Sequence, residues 1–306
     1  MPRSKWHHLG SQTYALSSGS NIGFIVQGNS ALMVDAGLDA DNARKGIQQL
    51  ETVDATVAAL LLTHGHADHF GGAAWVAAQC EVPIYAPPLE GTIAAHPLLE
   101  PLFLYGGADP IEELRDKFTL ARHPTGPSRP LTDGAMRLAE FDIQVVPLPG
   151  HAPAQVGIGY RPRDDGAATL YCGDSVFPLE TLQRHPILFC ADMDAWLATL
   201  KRLPGLPYAH FVAGHGEPVT DIAPLAKATA ARLQEIRDHV LAALDEPREP
   251  YAVLRAVADR YRLIFSAPQF FLLSLTTIHA ALTSLQRAKE AAIFMDDNHL
   301  LWRRCT

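Results

Sequence analysis

The stretch LLLTHGHADHF, residues 60–70, sets His64, His66, Asp68 and His69 within six positions directly behind a run of leucines. Val57 to Leu62 reads as a buried strand, an apolar run too short for a helix of ordinary length. Residues two apart on an extended chain point to the same side, so His64 and His66, just past the strand end, can converge on one cation. Asp68 and His69 fall where the chain turns into a following helix and can face the same cavity. At this chain's residue frequencies, an H-x-H-x-D-H pattern arises by accident in roughly one of five hundred such chains. Alone, Asp68 would read as a helix N-cap; beside three histidines it reads as a ligand.

Further candidates stand downstream, each after an apolar strand and a glycine. His151 follows Val145-Val-Pro-Leu-Pro-Gly150, Asp174 follows Leu170-Tyr-Cys-Gly173, and His215 follows Phe211-Val-Ala-Gly214. Glycine lets the backbone approach closely and re-aims the next side chain, and the rim beyond the strand ends is where layered α/β proteins place ligands.

Through THGHADH at 63–69, PGH at 149–151, GD at 173–174 and GHG at 214–216, the sequence resembles the metallo-β-lactamase-fold hydrolase superfamily. The matches run in family order over residues 20–216. The resemblance implies that His64, His66 and His151 hold one metal, that Asp68, His69 and His215 hold a second, and that Asp174 bridges them. It also implies a four-layer αββα sandwich. Asp35, in MVDAG, matches the family's first-motif aspartate, a support for the ligands; its other reading is a turn residue. Ala152 and Ala154 depart from the PGHTPG form common in the family, which puts a local hydrogen bond in question and leaves His151 as a ligand.

Working outward, Ile22 to Val26 and Ala31 to Val34 predict a hairpin. Helices at Asp39 to Leu50 and His69 to Gln79 alternate with strands at Val57 to Leu62 and Pro83 to Ala86. Consecutive strands follow at Met136 to Ala139, Ile143 to Leu148, Gln155 to Tyr160 and Thr169 to Cys172, then a helix at Asp194 to Arg202 and a strand at Ala209 to Ala213. A layered α/β domain over residues 1–220 accounts for both halves. From Asp221 the pattern becomes helical: Ile222, Leu225, Ala226, Thr229, Leu233, Ile236 and Val240 share one helix face, as do Leu275, Ile278, Leu282 and Leu285. A shorter helix near Tyr251 to Tyr261 lies between them, and a hairpin turning at Asp296-Asp297-Asn298 closes the chain. Residues 221–306 thus predict a small, mainly helical domain resembling a winged helix. Its eleven Lys and Arg against ten Asp and Glu form no basic stripe, so it reads as a packing or dimerising appendage. Phe270 to Leu273 reads either as a homodimer face or as helix core.

A chain of 306 residues that is 48% apolar can bury a substantial core. A net charge of −8 disfavours nucleic acid and anionic membranes as partners. Cys80, Cys172, Cys190 and Cys305 are scattered, fitting reduced thiols. No apolar run approaches the roughly 20 residues that span a bilayer, and the amino end carries no leader pattern, so a cytoplasmic location is expected.

Seven nitrogen and oxygen donors without cysteine suit two zinc ions, with iron or manganese as alternatives. Such a pair activates water near neutral pH and polarises the attacked bond. The expected function is hydrolysis of an ester-like bond in a small molecule, a thioester or lactone before a phosphodiester, with Asp68 also orienting water or passing a proton. Two other enzymatic readings stay open at this point: a mononuclear iron persulfide dioxygenase-like enzyme using His64, His151 and Asp174 as a facial triad, and a ribonuclease-like phosphodiesterase. A non-enzymatic, metal-stabilised regulator is disfavoured, because a structural metal needs no open bridged site. Substrate contacts are expected from loops 96–130 and 177–192, whose aromatics Phe103, Tyr105, Phe177 and Phe189 suit an apolar body. His96, His123 and His185 read as surface residues, and the remaining histidines as structural.

Overall fold

The computed structural model describes residues 4–163 and 166–305; the first three residues of the amino end lie outside that description. The first half contains β1 (Lys5–Gly10), β2 (Thr13–Ser17), β3 (Ile22–Gln27), β4 (Ser30–Val34), α1 (Ala40–Glu51), β5 (Thr56–Leu61), α2 (Ala67–Phe70), α3 (Ala73–Cys80), β6 (Ile84–Ala86), α4 (Pro88–Ala95), α5 (Leu99–Leu104) and β7 (Arg129–Pro130). Its seven strands form one sheet in sequence order, antiparallel through β4 and parallel from β4 to β7. The second half adds β8 (Gly134–Leu138), β9 (Phe141–Pro147), β10 (Val156–Tyr160), β11 (Thr169–Gly173), α6 (Leu179–Arg184), α7 (Met193–Arg202) and β12 (His210–Ala213). These five strands form a second sheet in the order β12-β11-β10-β9-β8. The chain ends with α8 (Ala223–Ala242), α9 (Pro250–Arg260), α10 (Pro268–Arg287) and the hairpin β13 (Ala291–Asp296) and β14 (His299–Arg304). Asp297 and Asn298 both have positive φ at its turn, the backbone that a two-residue hairpin loop requires.

Three apolar layers order these elements into an αββα sandwich. Ile25, Leu32 and Leu61 of the first sheet meet Phe141, Val145 and Ile158 of the second between the sheets. Outside the first sheet, Phe24, Met33 and Leu60 pack against α1 and α3 through Ala43, Leu50 and Val76. Outside the second, Leu148 and Leu170 pack on Trp196 and Leu200 of α7, and the same core continues into Leu233, Ile236, Ile278 and Leu282 of α8 and α10. The hydrophobic face predicted for the C-terminal helices is therefore buried against the second sheet's helical layer. In the Phe270–Leu273 run, Phe271 and Leu272 pack on this core and Phe270 is exposed.

The sequence reading missed β1 and β2, and two of its expectations need correction. Strands β1 and β2 lack a clear apolar alternation; β1 is a half-exposed edge strand held by pairing with β2 and by Trp6 stacked on Tyr14 at 5.2 Å. The single helix expected over His69 to Gln79 breaks at Gly71-Gly72 into α2 and α3. A Cβ on Gly71 would stand 1.9 Å from the Leu38 carbonyl oxygen, and one on Gly72 would stand 2.5 Å from that of Ala36, so the backbone docks here instead of continuing the helix. Finally, 96–130 and 177–192 are not plain loops: the first carries α5, a short 3₁₀ turn at Glu112–Leu114 and β7, and the second carries α6. Among the described residues, no helix is long and apolar enough to cross a membrane.

Candidate metal centre

Four strand ends aim at one point. β5 delivers His64 and His66 and runs into α2, which presents Asp68 and His69; the loops after β9, β11 and β12 deliver His151, Asp174 and His215. All seven residues singled out by the sequence motifs come together. Donor atoms of His64, His66 and His151 lie within 4.8 Å of one another, as do those of His64, His69 and Asp174 and those of Asp68, His69 and His215. One oxygen of Asp174 lies 3.4 Å from His151 Nε2 and 3.3 Å from His215 Nε2, while its other oxygen lies 3.2 Å from His69 Nε2. Asp174 thus touches both outer triads. The glycine preceding His215 is required sterically: a Cβ on Gly214 would sit 1.9 Å from Asp174 Oδ1. Gly150, before His151, has φ +131 and lies against the Trp196 backbone.

Acceptors behind the histidines fix which ring nitrogen faces inward. His151 Nδ1 donates to the Phe189 carbonyl at 3.1 Å, and His215 Nδ1 donates to that of Gly19 at 2.6 Å. His69 Nδ1 donates to Asp35 Oδ2 at 2.9 Å. Carbonyls and carboxylates only accept, so each Nε2 is left to face the cavity. His64 is held through a relay. Thr63 Oγ1 donates to Asp35 Oδ2 at 2.8 Å, which leaves its lone pair for His64 Nδ1 at 3.0 Å. Asp35 also accepts the Thr63 N–H at 2.8 Å and has φ 59, a left-handed backbone uncommon outside glycine. It is buried behind the ligands, the supporting place the resemblance implied.

Several supporting residues carry no motif. Ser20, between β2 and β3, donates from its hydroxyl to Asp68 Oδ2 at 2.8 Å. Buried Glu90 on α4 accepts the Gly65 N–H at 2.9 Å and the Ala154 N–H at 2.7 Å, clamping two ligand loops together. The backbone N–H of Ala154, where the sequence departs from the family form, is satisfied in this way. Glu100 of α5 stands beside the Ala67 N–H, with its Oε2 buried and without a hydrogen-bond partner. Ser20-Asn21 leading into β3 is a faint polar signal, whereas Glu90 and Glu100 stand among helix residues with nothing local to mark them.

Electrostatics separate the site into two kinds of group. Burial, reinforced by His69 and His66, pushes His64 well below the usual histidine range, and burial with His151 beside it takes His66 down to about 3. Burial opposes charge on Asp174 as well, yet His215 and His69 hold its carboxyl well below the usual carboxylate range. Against the same opposing burial, Asp174 and Asp68 raise His69 well above its ordinary value, and Asp174 brings His215 up to about 9. His64 Nε2, His69 Nε2 and Asp174 Oδ1 are buried without a hydrogen-bond partner; the last two are 3.2 Å apart but not aligned for a bond. Among the described residues, no Lys or Arg pairs with Asp35, Asp68, Glu90, Glu100 or Asp174. Carboxylates converging with histidine rings, without Lys or Arg beside them, fit a bound metal ion. Phe189 packs edge-on to His66 at 5.0 Å, and Phe177 lies parallel to His215 at 5.8 Å. Phe103 and Tyr105 are exposed on and just after α5.

Residues 17–215 match the family model described as metallo-beta-lactamase superfamily. The chain belongs to the metallo-β-lactamase superfamily. Among curated relatives, a hydroxyacylglutathione hydrolase from Albidiferax ferrireducens is 30% identical over 180 residues, covering 58% of this chain and 54% of that protein. The probable metallo-hydrolase YflN of Bacillus subtilis is 27% identical over 184 residues, covering 53% and 65%. The chain spans about half to two thirds of the length of these relatives. Among solved structures, a beta-lactamase domain protein from Burkholderia ambifaria superposes with TM-score 0.74 at 18% identity, covering 98% of this chain and 94% of that one. A metallo-beta-lactamase family protein from Thermus thermophilus gives 0.69 at 20% identity, with 94% of each chain covered. These two share the fold over nearly the whole superfamily member, C-terminal helices included.

Proposed function

We propose that this superfamily member is a dinuclear metal-dependent hydrolase of small molecules with an ester-like bond, a thioester first and a lactone second. The observation that carries the reading is the convergence of seven donors around Asp174, with three buried donor atoms left unpartnered. His64, His66 and His151 would hold one ion, Asp68, His69 and His215 the other, and Asp174 would touch both. Nitrogen and oxygen donors without cysteine suit zinc. When bound, such a pair supplies water activation near neutral pH and polarisation of the attacked carbonyl.

The chain's own groups do the rest. Asp35 sets the His69 tautomer directly and that of His64 through Thr63, keeping both Nε2 atoms available as donors. Ser20 occupies one lone pair of Asp68 Oδ2 and so fixes the carboxylate's rotation. Asp68, His215 and His66 are the partly open members, the first two with side chains 27% and 22% exposed against 5% for Asp174. Substrate therefore meets the site from their side, where Asp68 can orient water or receive its proton. Phe177 and Phe189 give this mouth apolar walls against His215, His151 and His66, which suits an acyl body. The preference for a thioester rests on relatives named hydroxyacylglutathione hydrolase in three bacteria, a name that describes an acylated thiol as substrate. The net charge of −8 supports small substrates over polynucleotides.

Elemental analysis of freshly purified protein beside Asp174→Ala, followed by a thioester and lactone screen, tests the proposal. About two zinc ions per chain, lost in the variant, together with turnover of a thioester or lactone, is the expected result. About one iron per chain with oxygen uptake on a persulfide would overturn it, as would cleavage of RNA with no turnover of any thioester or lactone.

A further inference from the structure

Beside the metal centre lies a cavity of about 910 Å³ that none of the proposed chemistry uses. Its floor is apolar, formed by Leu38, Trp75, Leu120 and Ala121, and its walls are the start of α1 on one side and the segment 115–124 on the other. Sites for small organic ligands have this size and make-up, an apolar floor with a few polar groups at the rim.

The rim charges do not cancel. Arg115 donates to Asp109 at 2.7 Å, and Arg44, whose guanidinium lies 5.2 Å from the centre of the Trp75 ring, pairs with Asp41 at 2.5 Å. Asp39 caps α1 by accepting the Asn42 N–H at 3.0 Å. Lys117 and Arg122 are left: both are exposed and line the cavity, and neither forms an ion pair among the described residues. His123 stands next to them in the same wall. In a chain of net charge −8, the two unpaired cations, set against the one unpaired carboxylate of Asp39, leave a local excess of positive charge over an apolar floor that attracts an anion. The planar guanidinium of Arg122 matches a carboxylate or phosphate head, and the Trp75 ring offers a surface for an apolar or aromatic body.

We propose that this cavity is a second binding site, taking a small organic anion whose carboxylate or phosphate head meets Arg122 and Lys117 while its apolar part rests on Trp75. The site is separate from the metal centre but backs onto it. Gly71, in the cavity wall, is two residues past His69, and Leu98, also in the wall, is two residues before Glu100, which stands beside the Ala67 N–H next to Asp68. The proposal does not depend on the hydrolase reading.

Phenyl phosphate, benzoate and inorganic phosphate serve as probes on the metal-loaded protein, followed by ligand-observed NMR and by tryptophan fluorescence, with Trp75→Phe assigning the signal. At least one aromatic anion is expected to bind saturably, with Kd below about 1 mM. Arg122→Glu and Lys117→Glu, both on exposed side chains, are each expected to weaken it by about tenfold or more. Tighter binding of phenyl phosphate would assign a phosphate-bearing ligand, and tighter binding of benzoate a carboxylate-bearing one. Metal content should be unchanged in both charge variants, and binding should survive in Asp174→Ala, which separates this site from the metal centre. The proposal is overturned by no saturable binding up to about 10 mM, by affinity indifferent to both charge variants, by loss of binding in Asp174→Ala, or by inorganic phosphate binding as tightly as phenyl phosphate.

Discussion

Asp35→Asn is the change that most directly interrogates the centre. Asp35 touches no proposed metal position, yet it accepts the Thr63 N–H, the Thr63 hydroxyl and the His69 Nδ1–H. Asparagine matches aspartate in shape and also tolerates the left-handed backbone found at φ 59, so the substitution tests hydrogen-bond polarity without adding strain. One oxygen must become an NH₂ donor. If the remaining oxygen keeps the Thr63 N–H, the new donor faces His69 Nδ1, which must give up its hydrogen. That hydrogen moves to Nε2, the atom aimed at Asp174 Oδ1 from 3.2 Å, and the ring can no longer offer a lone pair to a metal ion.

Loss of such a supporting partner costs about 10- to 100-fold in metal affinity, equivalent to about 1.4 to 2.8 kcal/mol. The second triad, Asp68, His69 and His215, should weaken most, because His69 is held directly and His64 only through Thr63. Chelator competition on both proteins, with circular dichroism to confirm the fold, measures the effect. Thr63→Val is the companion. It removes the acceptor of His64 Nδ1 and one of the donors to Asp35 but leaves the His69–Asp35 bond in place, so the loss should shift to the triad of His64, His66 and His151, by about tenfold. Wild-type affinity for both ions in Asp35→Asn would refute the tautomer argument, and an equal loss at both positions would refute the division into a direct and a relayed arm.

Ser20→Ala should weaken the ion held by Asp68, His69 and His215 by about tenfold and spare the other, with Ser20→Thr restoring it, as read by metal titration. Metal uptake at pH 7 should release protons, because His69 is raised well above its ordinary value and His215 to about 9 in the metal-free protein, and each must bind metal deprotonated. Calorimetry in buffers of different ionisation enthalpy should give at least about one proton per chain, and a buffer-independent heat would contradict this. The same raised values fix the sign of what His69 and His215 contribute to metal-free stability: that contribution is fully present below about pH 6.5 and is lost as pH rises through about 9, so the apo melting temperature should fall between those limits. Ile236→Ala, at a fully buried position of α8, should cost about 2 to 5 kcal/mol while leaving one unfolding transition, because α8 shares its core with Trp196 and Leu200; a separate second transition in calorimetry would show that the C-terminal helices fold on their own.

The ligands were legible in the sequence because each is fixed by local rules. A strand end, a glycine and a short turn suffice to aim His151, Asp174 or His215, and H-x-H-x-D-H needs only one strand and one helix start. The braces behind them follow no such rule. Ser20 meets Asp68 across 48 positions, and Glu90 meets Ala154 across 64, contacts that exist only once two sheets and their helices have closed. Asp35 was half legible: its place after a strand suggested a turn or a support, and only its three accepted hydrogen bonds decide for support. The break at Gly71-Gly72 was hidden for a related reason. Two glycines within a small-residue run read as tolerable in a helix until the carbonyls of Ala36 and Leu38 are seen where their Cβ atoms would be.

That hidden bracing bears on how the two halves of the centre differ. His64, His69, His151 and Asp174 are buried, and the three histidines are held by Thr63, Asp35 and the Phe189 carbonyl, groups at strand ends or in the loop before α7. Asp68 and His215 are partly open and lean on one segment: Ser20 bonds Asp68 and Gly19 bonds His215. Asn21 anchors that segment through its amide to the carbonyls of Ala213 and Gly216, on either side of His215. Two of the three donors of one triad therefore move with residues 18–21, whereas the other triad does not depend on that segment. Differences in affinity between the two positions should follow the integrity of the Ser18 to Asn21 turn, and substitutions there should change occupancy at the triad of Asp68, His69 and His215 while leaving that of His64, His66 and His151 filled.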